Sequence, residues 1–249
     1  KNISDLRGTT DTENQIEEKL VRRLNIGHIP DNEILYNLPL FLSSKLLSRI
    51  LFFNEMYKKI LCHHGVIMEF GVRWGPIMNL FQSLRGIYEP FNRHRKIIGF
   101  DTFEGFTETT KYDRISKEGD FAVTDGYEEH LEEILSLQEQ FSPLDHIKKF
   151  EIIKGNIIET LPKYLKDNKH TIVSLVFFDL DIYKPTLESL KNIKPYLTEG
   201  SIMVFDELCD DKFPGETMAL DEVFGLNNLE IKRLPTTSRI SYVEVKNVK

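Results

Sequence analysis

Cysteine is nearly absent from this chain: Cys62 and Cys209 are the only two among 249 residues. Two thiols without a CxxC spacing exclude a disulfide scaffold and a zinc ribbon, and they point to a reducing, cytoplasmic setting. No apolar run approaches the ~18 residues a membrane helix needs. Internal repeats and low-complexity tracts are missing as well. The opening residues, Lys1-Asn2-Ile3-Ser4-Asp5, hold no apolar signal-peptide core and no initiator Met, so the true start is expected to lie upstream. Basic residues are outnumbered, with 32 Lys and Arg against 39 Asp and Glu and a net charge of −7. That balance argues against a nucleic-acid partner.

What is present is a run of strand and helix signals. Leu46, Leu47, Ile50, Leu51, Met56, Ile60 and Leu61 recur at helical spacing between residues 39 and 62. Residues 1–64 are therefore expected to form an N-terminal helical extension, and its apolar helices offer a surface for a homo-oligomer. From residue 66 short apolar runs alternate with helical patterns. Strands are expected at Val66–Phe70, Lys96–Asp101, Glu151–Ile153, Ile172–Phe178 and Ser201–Phe205. Such alternation predicts an α/β fold, a doubly wound and mostly parallel sheet. Leu229–Leu234 and Ile240–Val245, joined by Pro235-Thr236-Thr237-Ser238, read as a closing antiparallel pair. Residues 106–126 are polar and interrupt the pattern, as a lid over a cleft would. Asp125-x-x-Glu128 then reads as a capping box for a helix that turns Leu131, Ile134, Leu135 and Phe141 inward. Tyr88, Asn92, Arg93 and Arg95 read as a solvated basic loop.

Chemistry concentrates where strands end. The first strand runs into Glu69-Phe70-Gly71-Val72-Arg73-Trp74-Gly75, whose glycines allow close backbone approach at a strand-to-helix turn. The second ends at Asp101, an acid suited to a ribose diol. The third leads to Gly155-Asn156, whose amide suits an adenine edge. Glu69 would repel a pyrophosphate, and G-x-G-x-x-G is absent. A cationic nucleoside, S-adenosylmethionine, suits these positions better.

The fourth and fifth strands each end in paired acids: Phe177-Phe178-Asp179-Leu180-Asp181 and Val204-Phe205-Asp206-Glu207. In extended backbone Asp179 and Asp181 share a face, and neighbouring strands lie only ~5 Å apart. Carboxylates brought this close need a cation, a shared proton or a basic substrate. An all-oxygen donor set suits Mg²⁺.

Glu69-Phe70-Gly71-Val72, Gly99-Phe100-Asp101-Thr102-Phe103-Glu104-Gly105-Phe106, Asp179-Leu180-Asp181-Ile182-Tyr183, Asp206-Glu207 and Pro214-Gly215 resemble the macrocin/mycinamicin-type sugar O-methyltransferases over residues 65–245. The resemblance implies a seven-stranded class I methyltransferase domain over residues 65–249, using S-adenosylmethionine and Mg²⁺ on a small carbohydrate acceptor. It implies that Glu69, Gly71, Arg73, Gly75, Asp101, Thr102, Phe103, Asn156 and Asp179 hold the cofactor. Asp179, Asp206 and Glu207 would hold the metal, and Asp181 would be the general base. Two positions depart from the family pattern: Glu207 stands where an Asp is usual, and Arg73 precedes Trp74 instead of following an aromatic residue. A metal-dependent glycosyltransferase also uses D-x-D acids, and a non-catalytic module would keep the cofactor loop alone. Glu69-x-Gly71 with Asp101 suits adenosine better than a uridine diphosphate.

Overall fold

A computed structural model describes residues 9–246; the expectation for Lys1–Asp5 lies outside them. The described chain divides into two compact units, parting between Ile50 and Leu51. In the first unit, α1 (Asp11–Asn25) opens on a capping box. The Thr10 hydroxyl accepts from the Glu13 amide at 3.2 Å, and the Glu13 carboxylate accepts from the Thr10 amide at 2.8 Å. Two 3₁₀ turns flank the short α2 (Ile34–Asn37). The helix α3 (Ser44–Lys59) begins in this unit and ends in the next.

The second unit is built on one seven-stranded sheet of order β3-β2-β1-β4-β5-β7-β6. Its strands are β1 (Val66–Phe70), β2 (Ile97–Asp101), β3 (Phe150–Lys154), β4 (Val173–Phe178), β5 (Leu197–Phe205), β6 (Ile231–Arg233) and β7 (Ser241–Glu244). The first five run parallel, while β7 pairs antiparallel with both β5 and β6. The expected doubly wound sheet with an antiparallel closing pair is therefore what forms.

Each strand buries alternate residues on opposite faces. Ile67, Leu175, Phe177, Ile202 and Val204 join one apolar cluster with Phe53, Tyr57, Phe81, Leu131 and Leu135. These come from α3, α4 (Pro76–Tyr88) and α5 (Tyr127–Glu139). Met68, Phe70, Val176, Phe178 and Phe205 join the other. That face is covered by α6 (Ile157–Asp167), α7 (Tyr183–Ile193) and α8 (Gly215–Phe224). The central strand β4 is buried along its whole length because both of its faces are covered.

Three local expectations fail. No capping box opens α5: its N-cap is Gly126 at φ 73, without a side-chain cap bond. The Glu128 carboxylate instead accepts from Lys154. Phe141 lies beyond the end of α5 and is 83% exposed. Arg95 is a buried guanidinium, 2% exposed, not a solvated loop residue. It donates to the carbonyls of Ile60, His63 and Gly65, and pairs with Glu89 at 2.9 Å. A charge with no water around it needs this many acceptors, and they fix the entry into β1.

Candidate active site

The sheet order reverses between β1 and β4, since β1 leads outward to β2 and β4 outward to β5. Ligands in open α/β sheets bind beyond the carboxyl ends of the strands at such a switch point. The residues found there are Glu69, Gly71, Asp101, Asp179 and Asp206.

Glu69 is the penultimate residue of β1, 1% exposed, in register with Gly99 and Phe177. Gly71 follows at φ 91, and a Cβ there would stand 1.9 Å from the Asp179 carbonyl oxygen. Its missing side chain thus admits the end of β4, where the sequence suggested room for a ligand. Gly75, at φ 73, caps α4, with Pro76 in the first helical position. A Cβ on Gly75 would collide with Leu131 at 2.4 Å.

Asp101 holds the loop between these glycines. Its Oδ2 accepts from the Arg73 amide at 2.7 Å and its Oδ1 from the Phe103 amide at 2.6 Å. Burial nevertheless holds its pKa above the ordinary carboxylate value, against the pull of these donors and of Arg73's charge. The Thr102 hydroxyl closes the adjoining turn on the Gly105 carbonyl at 2.8 Å. Phe103 is buried, with φ 60. Asn156 is the N-cap of α6, and its side-chain oxygen accepts from the Ile158 amide at 3.1 Å. Capping takes up the acceptor that the sequence assigned to an adenine edge.

The acids of β4 and β5 do come together. Phe178 pairs with Phe205 in the ladder, and their rings stack at 4.8 Å. Asp179 and Asp206 follow these two residues directly, on adjacent strands. The backbone is not extended beyond Phe178, however. Asp181 has φ 60, and the Ile182 amide donates to the Leu180 carbonyl at 2.6 Å. A three-residue turn, not strand alternation, sets the direction of Asp181.

A residue the sequence reading missed lies beneath them. Glu216, in the first turn of α8, is completely buried. Its Oε1 accepts from the Leu180 amide at 3.4 Å and its Oε2 from the Glu207 amide at 3.2 Å. Burial, then the charges of Asp181, Asp206 and Asp179, push its carboxyl well above the usual range. Glu216 therefore clamps the two acidic turns together through the Leu180 and Glu207 amides. A Glu after Pro-Gly reads as an ordinary first-turn acid, and only the fold shows its partners.

Arg239, just before β7, was also missed. Its Nε lies 3.2 Å from Asp206 Oδ2, and its guanidinium meets the Glu207 carboxylate. Glu207 is 1% exposed, and its Oε2 has no hydrogen-bond partner among the described residues. The donors Asp179, Asp206 and Glu207 are all oxygens, chemically suited to a hard divalent ion. As they stand, no three His, Cys, Asp or Glu side chains among the described residues are grouped to hold a metal. The β5 acids are arranged around the arginine.

Residues 106–126 fold over this edge without helix or strand. The amide of Gly119 donates to the Phe106 carbonyl at 2.9 Å, and the rings of Phe106 and Phe121 meet edge to face. The Arg73 guanidinium lies 4.8 Å from the Phe121 ring centroid. Buried Asp113 accepts from the Tyr183 amide at the start of α7, at 2.7 Å. Arg73 thus meets the segment expected to be a lid, and Asp113 fastens that segment beside the acids.

Comparison with known proteins agrees with this architecture. Residues 49–221 match the family of macrocin O-methyltransferases, TylF. Two structures of CalS11 are similar. One is described as a calicheamicin methyltransferase, with 40% identity, TM-score 0.92 and coverage of 95% of this chain and 93% of that one. The other is described as TDP-rhamnose 3'-O-methyltransferase, in apo form, with 37% identity, TM-score 0.85 and 95% of each chain covered. The O-methyltransferase NovP shares the fold at 18% identity and TM-score 0.62, over 79% of each chain. No match is found among the curated proteins. The sheet order, the acidic strand ends and these matches converge: the chain belongs to the macrocin O-methyltransferase family and is an O-methyltransferase.

Proposed function

We propose that this enzyme transfers a methyl group from S-adenosylmethionine to a hydroxyl of a deoxysugar carried on a nucleoside diphosphate. The observation that carries the reading is the identity of 40% to CalS11 across nearly the whole of both chains. CalS11 is itself described as acting on TDP-rhamnose. In this reading residues 65–249 are the methyltransferase domain and residues 1–64 its helical extension.

Glu69, Gly71, Arg73, Gly75, Asp101, Thr102, Phe103, Asn156 and Asp179 line the cofactor's place at the ends of β1 to β4. Buried Glu69 offers a carboxylate to the cofactor's positive charge, and Asp101 is an acceptor suited to a ribose diol. Asp179, Asp206 and Glu207 would hold Mg²⁺, which supplies Lewis-acid polarisation of a sugar oxygen when bound.

Asp181 acts as general base. It takes the proton of the acceptor hydroxyl while that oxygen attacks the methyl carbon. The carbon–sulfur bond breaks, and its electron pair stays on sulfur in S-adenosylhomocysteine. The tight turn at Leu180–Ile182 fixes the base, since positioning within hydrogen-bond reach governs such catalysis. Residues 106–126 act as the lid that excludes water.

Two features extend the reading. Ile16, Leu20, Val21 and Leu24 form an exposed apolar face on α1, which buries no residue. A second copy of the chain suits that face, and sedimentation of the whole chain beside one lacking α1 tests it. Cys62 and Cys209 are free, exposed thiols, as a reducing cytoplasm allows; no helix among the described residues is long and apolar enough to cross a membrane. Calorimetric titration with S-adenosylhomocysteine, and with a nucleotide sugar alone, tests the function. Binding of the sugar nucleotide without any binding of S-adenosylhomocysteine would contradict it.

A further inference from the structure

Arg239 has no part in the reaction as described, yet it engages both of the acids that end β5. Its position follows from strand pairing. Phe205 is in register with Ser241 in the antiparallel β5–β7 pair. Continuing that register by two residues sets Arg239 opposite Glu207, immediately beyond the sheet. The side chain comes from the connection between β6 and β7, where the Thr237 amide donates to the Leu234 carbonyl at 3.2 Å. The Arg239 amide donates to the Thr237 hydroxyl at 3.4 Å. Its guanidinium lies 3.2 Å from Asp206 Oδ2 and meets Glu207 as well.

The two carboxylates and the arginine differ in exposure. Asp206 and Glu207 side chains are 7% and 1% exposed, whereas the Arg239 side chain is 40% exposed. Buried carboxylates side by side repel each other and need a cation nearby. The guanidinium fork supplies one, with geometry that reaches two carboxylates at once. Because it stands on a turn beyond the strand ends and is partly in water, it can leave without unpacking the core.

We infer that Arg239 is a resident counter-ion of the Asp206–Glu207 pair, which a divalent cation must displace to bind there. The inference rests on the assignment of these acids to Mg²⁺. A guanidinium and a metal cannot use the same carboxylate lone pairs together. Metal binding is therefore weakened by the arginine and accompanied by release of the residue 234–240 turn. By linkage, the arginine's contact is weakened equally by metal. The enzyme keeps its acidic strand ends neutralised before the metal arrives.

The test is Mn²⁺ titration of the full chain, reading free Mn²⁺ by electron paramagnetic resonance. Wild type, Arg239→Gln, Arg239→Lys and Asp206→Asn are compared, with S-adenosylhomocysteine binding of each as the check of folding. Arg239→Gln is expected to bind Mn²⁺ about ten-fold more tightly than wild type, the scale of a typical coupling. Arg239→Lys should fall between them, because a point charge cannot span both acids. Asp206→Asn should bind more weakly than wild type. Hydrogen exchange of residues 234–240 should speed up on adding Mn²⁺ to wild type. Equal or weaker Mn²⁺ binding by Arg239→Gln, with Asp206→Asn still weakened, would overturn the inference and leave the metal assignment standing. If Arg239→Gln does not fold, Mn²⁺ binding by Arg239→Lys no tighter than wild type overturns it. No Mn²⁺ binding by any of the four proteins would remove the metal assignment, and the inference with it.

Discussion

The carbonyl oxygen of Asp179 stands where a side chain on Gly71 would begin. An ideal Cβ on Gly71 would be 1.9 Å from that oxygen, and the backbone there has φ 91. The ends of β1 and β4 are therefore pressed together at the switch point, so a side chain added at Gly71 must displace Asp179. Gly71→Ala is expected to lose roughly 1–3 kcal/mol of stability from the strained backbone alone. Affinity for S-adenosylhomocysteine should fall with it, because Asp179 has to shift. Urea unfolding and calorimetry check both. A variant as stable and as tightly binding as wild type would mean that the two strand ends are not coupled.

Asp101 gives a pH dependence whose sign is fixed. Burial raises its pKa in the fold above the ordinary value. A carboxyl raised on folding contributes stability that is complete below its unfolded value, about 3.9, and is lost as pH rises through its folded value. Asp101→Asn removes that contribution. Above roughly pH 4, the variant's unfolding free energy should decline less with pH than that of wild type. Parallel curves in a urea series across this range would contradict the burial of a titrating Asp101.

Glu216 bridges two backbone amides that belong to different strand ends. Glu216→Ala leaves the Leu180 and Glu207 amides without this acceptor, at a cost of about 1–3 kcal/mol for the buried Glu207 donor. Glu216→Gln keeps the same shape and one carbonyl acceptor, so it should be the milder change. Chemical unfolding of the two variants at neutral pH checks the order. Equal and negligible losses would show that the clamp contributes nothing.

The scaffold was legible because both of its faces are covered. Runs such as Leu175–Phe178 are apolar throughout, and that pattern marks a buried parallel strand. The acids were legible for the same reason: Asp179 and Asp206 interrupt apolar runs where charge needs an explanation. Asp181's turn was not, because a positive φ at a non-glycine residue leaves no local signature. Glu216 and Arg239 were not, because their partners lie far away in sequence. The strand pairing offers a route to Arg239: once β7 is paired with β5, counting back from Ser241 finds an arginine opposite Glu207. Residues 106–126 show the opposite limit. Their polarity suggested a lid over a cleft but gave no sign that buried Asp113 holds them to the amide of Tyr183.

That fastening makes the lid testable. Asp113→Ala removes the acceptor of the Tyr183 amide, so residues 106–126 should exchange amide hydrogens faster in the free enzyme. S-adenosylhomocysteine and acceptor together should slow the exchange in wild type, as closure over a cleft requires. Hydrogen exchange followed by mass spectrometry reads both effects. Identical exchange in free and fully bound wild type would reduce the segment to a connector.

The central claim is methyl transfer to a sugar hydroxyl with Asp181 as the base. The most direct measurement incubates the enzyme with methyl-labelled S-adenosylmethionine and a panel of nucleoside-diphosphate deoxysugars, with Mg²⁺ present. Product is followed by mass and by label. The expected result is one labelled methyl on the sugar of at least one panel member, with stoichiometric S-adenosylhomocysteine. The Asp181→Asn variant should bind cofactor normally but turn over ~10²–10⁴ more slowly, the usual contribution of a positioned base. Labelled product formed at the wild-type rate by Asp181→Asn would contradict the base assignment. Tight S-adenosylmethionine binding with no methylated sugar across the panel would contradict the proposed acceptor.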